Sequence, residues 1–195
     1  MDQALADAGF DIVHRFAVDA VVREAGLERL AGAPLGILIG NTKALWPRFV
    51  ERADRAVANP LELYTEQTIA PLVPDGGRCY FAHRRYDGAF VPFQRLAVAA
   101  GLGALSPTQL VVHPTYGPWF ALRAVIVCDG APPETLPEPR TCVCDGRCQA
   151  ALSAAIAATG PDNWRAWLAV RDACTAGRSW RYDEDQIRYH YTKRF

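Results

Sequence analysis

Two runs of β-forming apolar residues, 110–113 and 119–128, constrain the fold most, because the connection between them holds two prolines and a glycine. A connection of this length does not fit a two-residue hairpin. The sequence therefore predicts a strand pair around an irregular turn. The second run carries Arg123 among apolar residues. This guanidinium either points from its strand into a cavity or pairs with an acidic neighbour.

The remainder of the chain mixes helical and strand patterns. Apolar residues at helical spacing, among them Val13, Phe16 and Ala17, favour helices between Asp2 and Leu30. Residues 35–39 are typical of a short buried strand, and residues 79–83 of another. Helices are predicted from near Leu45, over 48–57, and over 93–100, 149–158 and 164–173. Asn59 and Pro60 either end the helix over 48–57 or begin the next one. The sequence lacks the glycine fingerprint of a dinucleotide-binding βαβ unit, so the pattern favours an α+β fold.

A change of composition after Cys128 suggests how the chain is organised. We expect one domain over residues 1–195, in which 1–128 form an α+β core. Residues 129–148, rich in proline and cysteine, are predicted to form an extended linker. Residues 149–195 are predicted to be a helical C-terminal part that packs on the core.

The charge balance excludes some function classes. The formal net charge is +0, so the chain has no general attraction to nucleic acid or to an anionic membrane. The purest apolar run, around 35–39, is far too short to span a bilayer. The first ten residues do not have the pattern of an export signal. We therefore expect a cytoplasmic protein with reduced cysteines and with neither a nucleic-acid nor a membrane partner.

Three cysteines within seven residues, Cys142, Cys144 and Cys148, form the most unusual local pattern. A metal or iron–sulfur site would need a fourth ligand, and the spacing is not that of a zinc or ferredoxin motif. Redox-active thiols are the alternative, and Arg147 would favour the thiolate form of a neighbour. We expect thiol chemistry and no bound metal ion.

Trp164, Trp167 and Arg171 are spaced three and four residues apart, so they share one face of the predicted helix. One interpretation is an aromatic core stripe with an arginine at its rim. The other combines Arg171 with Arg123 in a pocket for a large flat ligand accompanied by carboxylate or amide groups.

The motif HPTYGPWFALRAV at 113–125, the Pro-rich segment after it, WRAW with Arg171 at 164–171, and RYDEDQ at 181–186 resemble a known family. They are similar to the cobalamin-processing chaperones of the CblC type, the methylmalonic aciduria and homocystinuria type C proteins. The central stretch at 99–120 also resembles epoxyqueuosine reductase and the reductive dehalogenases, which bind cobalamin too. The reductases continue into a part with two iron–sulfur clusters, whereas the irregular cysteines here do not match that part.

The resemblance implies a nitroreductase-like (flavin reductase-like) α+β fold with a mixed sheet flanked by helices. It also implies a large cavity that holds cobalamin base-off, with no histidine on the cobalt. Such a chaperone removes the upper axial ligand, by reductive decyanation with reduced flavin (FMN or FAD) or by transfer of an alkyl group to glutathione or another thiol. Arg123 and Arg171 correspond to arginines that hold the glutathione carboxylates. The residues implied to bind the cofactor are Gln109, His113, Pro114, Tyr116, Gly117, Trp119 and Trp167.

Two other functions stay open at this point. The chain would be a pure carrier if it delivered cobalamin to downstream cobalamin-dependent enzymes without any chemistry of its own. It would be a cobalamin-dependent reductase if Cys142, Cys144 and Cys148 supplied a cluster or a thiolate to an organic substrate. In each case we expect a monomer or a homodimer.

Overall fold

The computed structural model describes residues 1–134, 140–142 and 146–195. Cys144 and the middle of the predicted linker, residues 135–139, lie outside the described residues. The α-helices are α1 (Asp2–Asp7), α2 (Val18–Val21), α3 (Leu45–Arg52), α4 (Pro60–Ile69), α5 (Phe93–Ala99), α6 (Arg147–Ala157), α7 (Trp164–Asp172) and α8 (Glu184–Thr192). The strands are β1 (Ile12–Ala17), β2 (Leu35–Asn41), β3 (Arg78–Phe81), β4 (Arg85–Tyr86), β5 (Ala89–Phe90), β6 (Ala104–Leu105), β7 (Val111–Val112) and β8 (Ala121–Cys128).

A four-stranded sheet with the order β1-β2-β8-β3 forms the centre of the fold. Each neighbouring pair in it is antiparallel, so this sheet is not the mixed sheet that the resemblance implied. Every residue of β2 is buried, because helices cover the sheet on both faces, and its sequence is therefore a continuous apolar run. The predicted strand at 35–39 is confirmed and extends to Asn41. The α+β class is confirmed as well.

Each face of the sheet carries its own apolar core. On one face, Phe16, Leu38 and Val125 pack with residues of α2 and α5. On the other, Ile39 and Ile126 pack with residues of α1, α3 and α4 and with Tyr189 of α8. A third, smaller cluster joins Trp119 to the C-terminal helices through Tyr182 and Ile187, with Trp164 and Leu168 packed against it. This third cluster brings the C-terminal part next to the connection before β8.

The helical prediction for residues 2–30 is wrong over its central part. Ile12–Ala17 form the edge strand β1, which pairs with β2 along its whole length, with Phe16 opposite Gly36. A Cβ on Gly36 would lie 2.1 Å from Cζ of Phe16, so the glycine makes room for the aromatic ring. Pairing with a buried neighbour outweighs the weak helical spacing of this segment.

The predicted strand pair across the 114–118 connection is also wrong, although both strands exist. The short β7 pairs with β6, whereas β8 lies between β2 and β3. His113 and Gly117 form a local bridge, in which each backbone N–H donates to the other's carbonyl at 2.9 Å. The connection therefore closes as a loop of its own and separates the two strands.

The remaining predictions differ from the structure mainly at their ends. The helix expected over 48–57 ends at Arg52, and its C-cap residue Ala53 has an extended backbone. The helices expected over 93–100 and 164–173 are confirmed, and α6 begins two residues earlier than predicted, at Arg147. Of the two alternatives for Pro60, the structure has the one in which it begins a helix, α4. The helix α8 lies in the part, 149–195, that was expected to be helical, but its bounds were not predicted. Within the described part of the chain, no helix combines the length and apolarity needed to cross a bilayer.

Candidate functional site

A β-bulge places Arg123. Ala124 lies opposite Ile39 and Leu122 lies opposite Gly40, so Arg123 is an extra residue that has no partner on β2. A bulge bends its strand and changes the direction of a side chain. Arg123 accordingly lines a small cavity of about 10 Å³ together with residues of α3, α4 and α8. The bulge explains how a charged side chain leaves an otherwise apolar strand.

Buried polar groups fix the orientation of Arg123. Its Nε donates to Oδ1 of Asn41 at 2.6 Å, and Nδ2 of Asn41 donates to the carbonyl oxygen of Thr42 at 2.8 Å. The backbone N–H of Thr42 donates to Oδ1 of Asp11 at 2.7 Å, and its hydroxyl donates to Oδ2 of the same carboxylate. Burial lowers the pKa of Arg123, but a guanidinium stays protonated in proteins.

Three buried polar atoms near Arg123 have no hydrogen-bond partner in the described part of the chain. They are Nη1 of Arg171, the hydroxyl of Tyr182 and Oε1 of Gln186. Tyr182 and Gln186 line the same small cavity as Arg123, and they are only 3% and 6% exposed. Unsatisfied buried polar groups are costly and rare, and a group of them is typical of a site that receives a ligand or ordered water.

Trp119 lies between two arginines with different partners. Its ring centroid is 5.8 Å from Cζ of Arg171 and 5.6 Å from Cζ of Arg181. Arg181 is neutralised, because its Nε donates to Asp172 at 2.8 Å and its Nη1 donates to Glu184 at 2.7 Å.

Arg171 and Arg123 lack such neutralisation. Among the described residues, no carboxylate lies within ion-pair distance of either guanidinium. The interpretation of Arg123 as a strand residue paired with an acidic neighbour is therefore wrong. The two arginines therefore give the site positive charge that no ion pair among the described residues neutralises, although Glu62 acts on Arg123 from beyond ion-pair distance.

His190 on α8 lies between the two guanidiniums. It lines both the small cavity of Arg123 and a second cavity, of about 240 Å³, which is lined by Arg171 and Trp167. Burial lowers the pKa of His190 to about 2, with smaller contributions from Arg171 and then Arg123. The imidazole is therefore neutral at physiological pH, and it adds a polar surface without adding charge.

Three cavities meet at Leu110, between the segment that contains β7 and the helix α7. Their volumes are about 240, 190 and 60 Å³. Arg171 lines the first two, and Pro118 lines the second and third. Most of the remaining lining is apolar, as in the usual site for a large flat molecule. The resemblance implied one large cavity, whereas the structure has three separate, smaller cavities at this place.

The turn of the HPTYGPW motif is a structural support for this cleft. Nδ1 of His113 accepts hydrogen bonds from the backbone N–H groups of Thr115 at 3.0 Å and Tyr116 at 3.3 Å. The His113 ring also stacks on Tyr116, with 4.4 Å between centroids, and burial lowers its pKa to about 4. Gly117 has a φ of +57°, and a Cβ there would lie 2.0 Å from the carbonyl oxygen of Ala176. The motif therefore docks the turn onto the C-terminal part.

The cysteines lie in a separate part of the cleft from the arginines. Cys142, Cys148 and Cys174 line the cavity of about 60 Å³. Within the ranges that the structure describes, no three side chains of histidine, cysteine, aspartate or glutamate are arranged to hold a metal ion.

The structure brings only some of the predicted site residues together. Arg171 and Trp167 share one cavity, and Arg123 lies in the neighbouring one that is also lined by His190. Trp119 is 1% exposed and belongs to the C-terminal cluster, so it supports the site from behind. Gln109 and Pro114 are exposed.

Several residues of the site were not predicted from the sequence, namely Asn41, Cys174, Tyr182, Gln186 and His190. Two of them, Tyr182 and Gln186, lie within the RYDEDQ motif at 181–186, which was used only to recognise the resemblance. Asn41, Cys174 and His190 carry no such sequence signal, because only the tertiary fold brings them to the cleft.

Comparison with known proteins shows which solved structure has a similar fold. No family model matches the sequence, and no curated protein matches it. The structure is similar to that of a B12-trafficking protein CblC from C. elegans, a homologue of human MMACHC, with a TM-score of 0.70 and 16% identity. The matched region covers 97% of this chain and 88% of that one.

Two structures of epoxyqueuosine reductase give lower scores. One is a selenomethionine-labelled form, with a TM-score of 0.49, 14% identity and coverage of 93% of this chain and 66% of that chain. The other, from Bacillus subtilis, has a TM-score of 0.46 and 14% identity, and covers 92% and 66% of the two chains. These scores are too low to establish a shared fold. The similarity to CblC confirms the fold that the resemblance in the sequence predicted.

Proposed function

We propose that this chain binds cobalamin base-off and removes its upper axial ligand, with Arg123 and Arg171 holding an anionic thiol co-substrate. The observation that carries the proposal is the pair of un-neutralised guanidiniums beside the unpartnered hydroxyl of Tyr182. This pair lies in a fold similar to that of a B12-trafficking protein over 97% of the chain.

The cleft that meets at Leu110 is the proposed place of the corrin ring. Leu110, Val111, Pro118 and Phe120 give it an apolar wall on the side of the core, and Trp167 and Val170 of α7 form the opposite wall. Drug-sized ligands occupy pockets of about 300–1,000 Å³, and a corrinoid is larger than such ligands. Binding therefore requires α7 to move away from β7 and to open the three cavities into one.

The cationic groups fit a thiol that carries carboxylates, such as glutathione. Arg171 offers an unpartnered Nη1, and Tyr182 offers an unpartnered hydroxyl. A charge-assisted hydrogen bond of this kind contributes about 1.5–3 kcal/mol, which sets the orientation of a bound thiol. Because the site has no carboxylate partner of its own among the described residues, the anion of the co-substrate would neutralise it.

The proposed step is a nucleophilic displacement. The thiolate sulfur attacks the alkyl carbon on the cobalt and forms a carbon–sulfur bond, while the electron pair of the cobalt–carbon bond stays on the metal. The products are a thioether and a cobalamin reduced by two electrons. The protein contributes proximity, because the arginines would hold the carboxylates of the thiol beside the cleft.

Incubation with methylcobalamin and glutathione without oxygen tests the proposal. Loss of the alkylcobalamin spectrum together with stoichiometric S-methylglutathione is the expected result. A spectrum that shows binding while the methyl group stays in place would identify a carrier. Loss of cyanide from cyanocobalamin with reduced flavin, but no reaction with glutathione, would assign the reductive route and would contradict the thiol-binding role of the arginines.

A further inference from the structure

The cysteines of the smallest of the three cavities have no role in the proposed reaction, although that cavity forms part of the proposed cleft. Cys142 precedes α6, Cys148 lies in the first turn of α6, and Cys174 follows the end of α7 by two residues. These three side chains come from separate segments and line one cavity of about 60 Å³. The arrangement brings Cys174, distant in sequence, to the cysteine motif.

Helix packing explains why Cys148 and Cys174 share this cavity. Helices α6 and α7 pack against each other, and the start of α6 lies beside the end of α7 because Cys148 and Val170 line the same space. The backbone N–H of Cys174 donates to the carbonyl of Arg171 at 3.1 Å, so Cys174 continues the last turn of the helix that carries Arg171. A covalent bond between the two cysteines would join the ends of these helices.

The polar groups of the cavity do not suit a polar ligand. The hydroxyls of Ser106 and Thr108 hydrogen-bond to each other at 2.8 Å, and the Ser106 oxygen also accepts from the backbone N–H of Leu110 at 3.2 Å. The thiols are therefore the chemically distinctive groups of the lining. In addition, the positive end of the α6 dipole stabilises negative charge on a sulfur in its first turn.

We propose that Cys148 and Cys174 form a reversible disulfide that fixes the end of α7 to the start of α6. The oxidant is a small-molecule disulfide. The thiolate of Cys174, which is half-buried, attacks one sulfur of the oxidant, forms a mixed disulfide and releases one thiolate. Cys148 then attacks the Cys174 sulfur and releases the second thiolate. Two protein thiols are oxidised, one small disulfide is reduced to two thiols, and the two protons of the protein thiols end on the two released thiols.

Two cysteines of the central sheet, Cys79 and Cys128, serve as internal controls. Cys79 lies on β3, and burial raises its pKa to about 12. Cys128 ends β8, is 2% exposed and also has a raised pKa because of burial. Since the attacking species is the thiolate, both should stay reduced while the cavity thiols react.

Peptide mass spectrometry of the full chain tests the disulfide. The reduced protein is treated with oxidised glutathione under native conditions, quenched with a thiol-alkylating reagent at low pH, and digested with trypsin. Cleavage after arginine separates Cys142 and Cys144 in peptide 141–147 from Cys148 in peptide 148–165 and Cys174 in peptide 172–178. We expect peptide 148–165 joined to peptide 172–178 in most molecules, and the loss of this species after reduction.

Variants and a denatured sample make the result decisive. Cys148→Ser and Cys174→Ser should each abolish the joined peptides, whereas Cys79→Ala should leave them at the wild-type level. After oxidation in urea, the link between Cys148 and Cys174 should be present in only a minority of molecules, because the unfolded chain no longer favours this pairing over others. A disulfide confined to peptide 141–147, a link between Cys174 and that peptide, or no link at all would overturn the proposal. No cobalamin is needed, so this outcome is independent of the proposed function.

Discussion

Arg123 and Asn41 are joined by a hydrogen bond of 2.6 Å from Nε to Oδ1, at the point where β8 has one residue more than β2. Asn41 is fully buried, and its amide is held by the carbonyl of Thr42. The bond uses Nε, and the side chain of Arg123 lines the small cavity beside Tyr182 and Gln186. The bulge and the asparagine together present a cation to the site in a fixed orientation.

Replacement of Arg123 should separate co-substrate binding from cobalamin binding. Arg123→Ala removes a charge-assisted contact worth about 1.5–3 kcal/mol, so the affinity for glutathione should fall roughly 10- to 150-fold. Cobalamin affinity should change little. The exposed Arg95, replaced by alanine, is the control for the loss of one positive charge. Equal losses of both affinities, with the fold intact by circular dichroism, would contradict the assignment.

Tyr182→Phe should weaken co-substrate binding without a large loss of stability. The Tyr182 hydroxyl is buried and makes no well-formed hydrogen bond in the described chain, so its removal loses only a weak interaction with the Arg171 guanidinium. We expect the free energy of unfolding to change by less than about 1 kcal/mol, and the glutathione affinity to fall about fivefold or more. Urea unfolding and thiol titration measure the two quantities. A large loss of stability with unchanged affinity would show that the hydroxyl has a structural role instead.

His190 should make the protein less stable in acid. Burial and the guanidiniums of Arg171 and Arg123 lower its folded pKa to about 2, whereas the unfolded value is near 6.5. Below about pH 6.5 the unfolded chain therefore binds a proton that the folded chain excludes. Stability should fall with decreasing pH by up to about 1.4 kcal/mol per pH unit from this residue.

The His190→Gln variant isolates this contribution. Between pH 7 and pH 5 the free energy of unfolding should fall by about 2 kcal/mol less in the variant than in the wild type. Part of the pH dependence should remain, because burial also lowers the pKa of His113, to about 4. Parallel pH profiles for the variant and the wild type would argue against a buried neutral imidazole.

Alanine substitutions at Gly117 and Gly76 can be compared to test the contact between the turn and Ala176. Both have positive φ, +57° and +73°, but a Cβ on Gly117 would lie 2.0 Å from the carbonyl oxygen of Ala176, whereas Gly76 has nothing within 4 Å. Gly76→Ala should cost about 1–2 kcal/mol from backbone strain alone. Gly117→Ala should cost roughly 1–3 kcal/mol more, through overpacking. Equal costs in chemical denaturation would refute the docking of the turn on the C-terminal part.

Much of the fold was predictable because local pattern and tertiary environment agree. The apolar run at 35–39 is buried on both faces, and the helices at Phe93–Ala99 and Trp164–Asp172 lie where the sequence pattern predicted them. The edge strand β1 was missed because its identity depends on pairing with β2. The separation of β7 from β8 was missed because it depends on the bridge between His113 and Gly117.

The site was predictable only in its motif residues. The position of Arg123 inside an apolar strand marked it as unusual, but the bulge that turns it depends on the register against β2. Tyr182, just before α8, and His190, on α8, reach the cleft through the packing of this helix, whose position the sequence did not predict. Cys174 joins the cysteine motif only because α6 packs on α7.

The most direct test of the account is the visible absorption spectrum of cobalamin during titration with the protein. We expect a saturable shift of the cobalamin spectrum to the base-off form, with one cobalamin bound per chain. Cyanocobalamin and methylcobalamin should both show it, because the ring and not the upper ligand fills the cleft. An unchanged spectrum at saturating protein, with no heat of binding in calorimetry, would contradict the central claim.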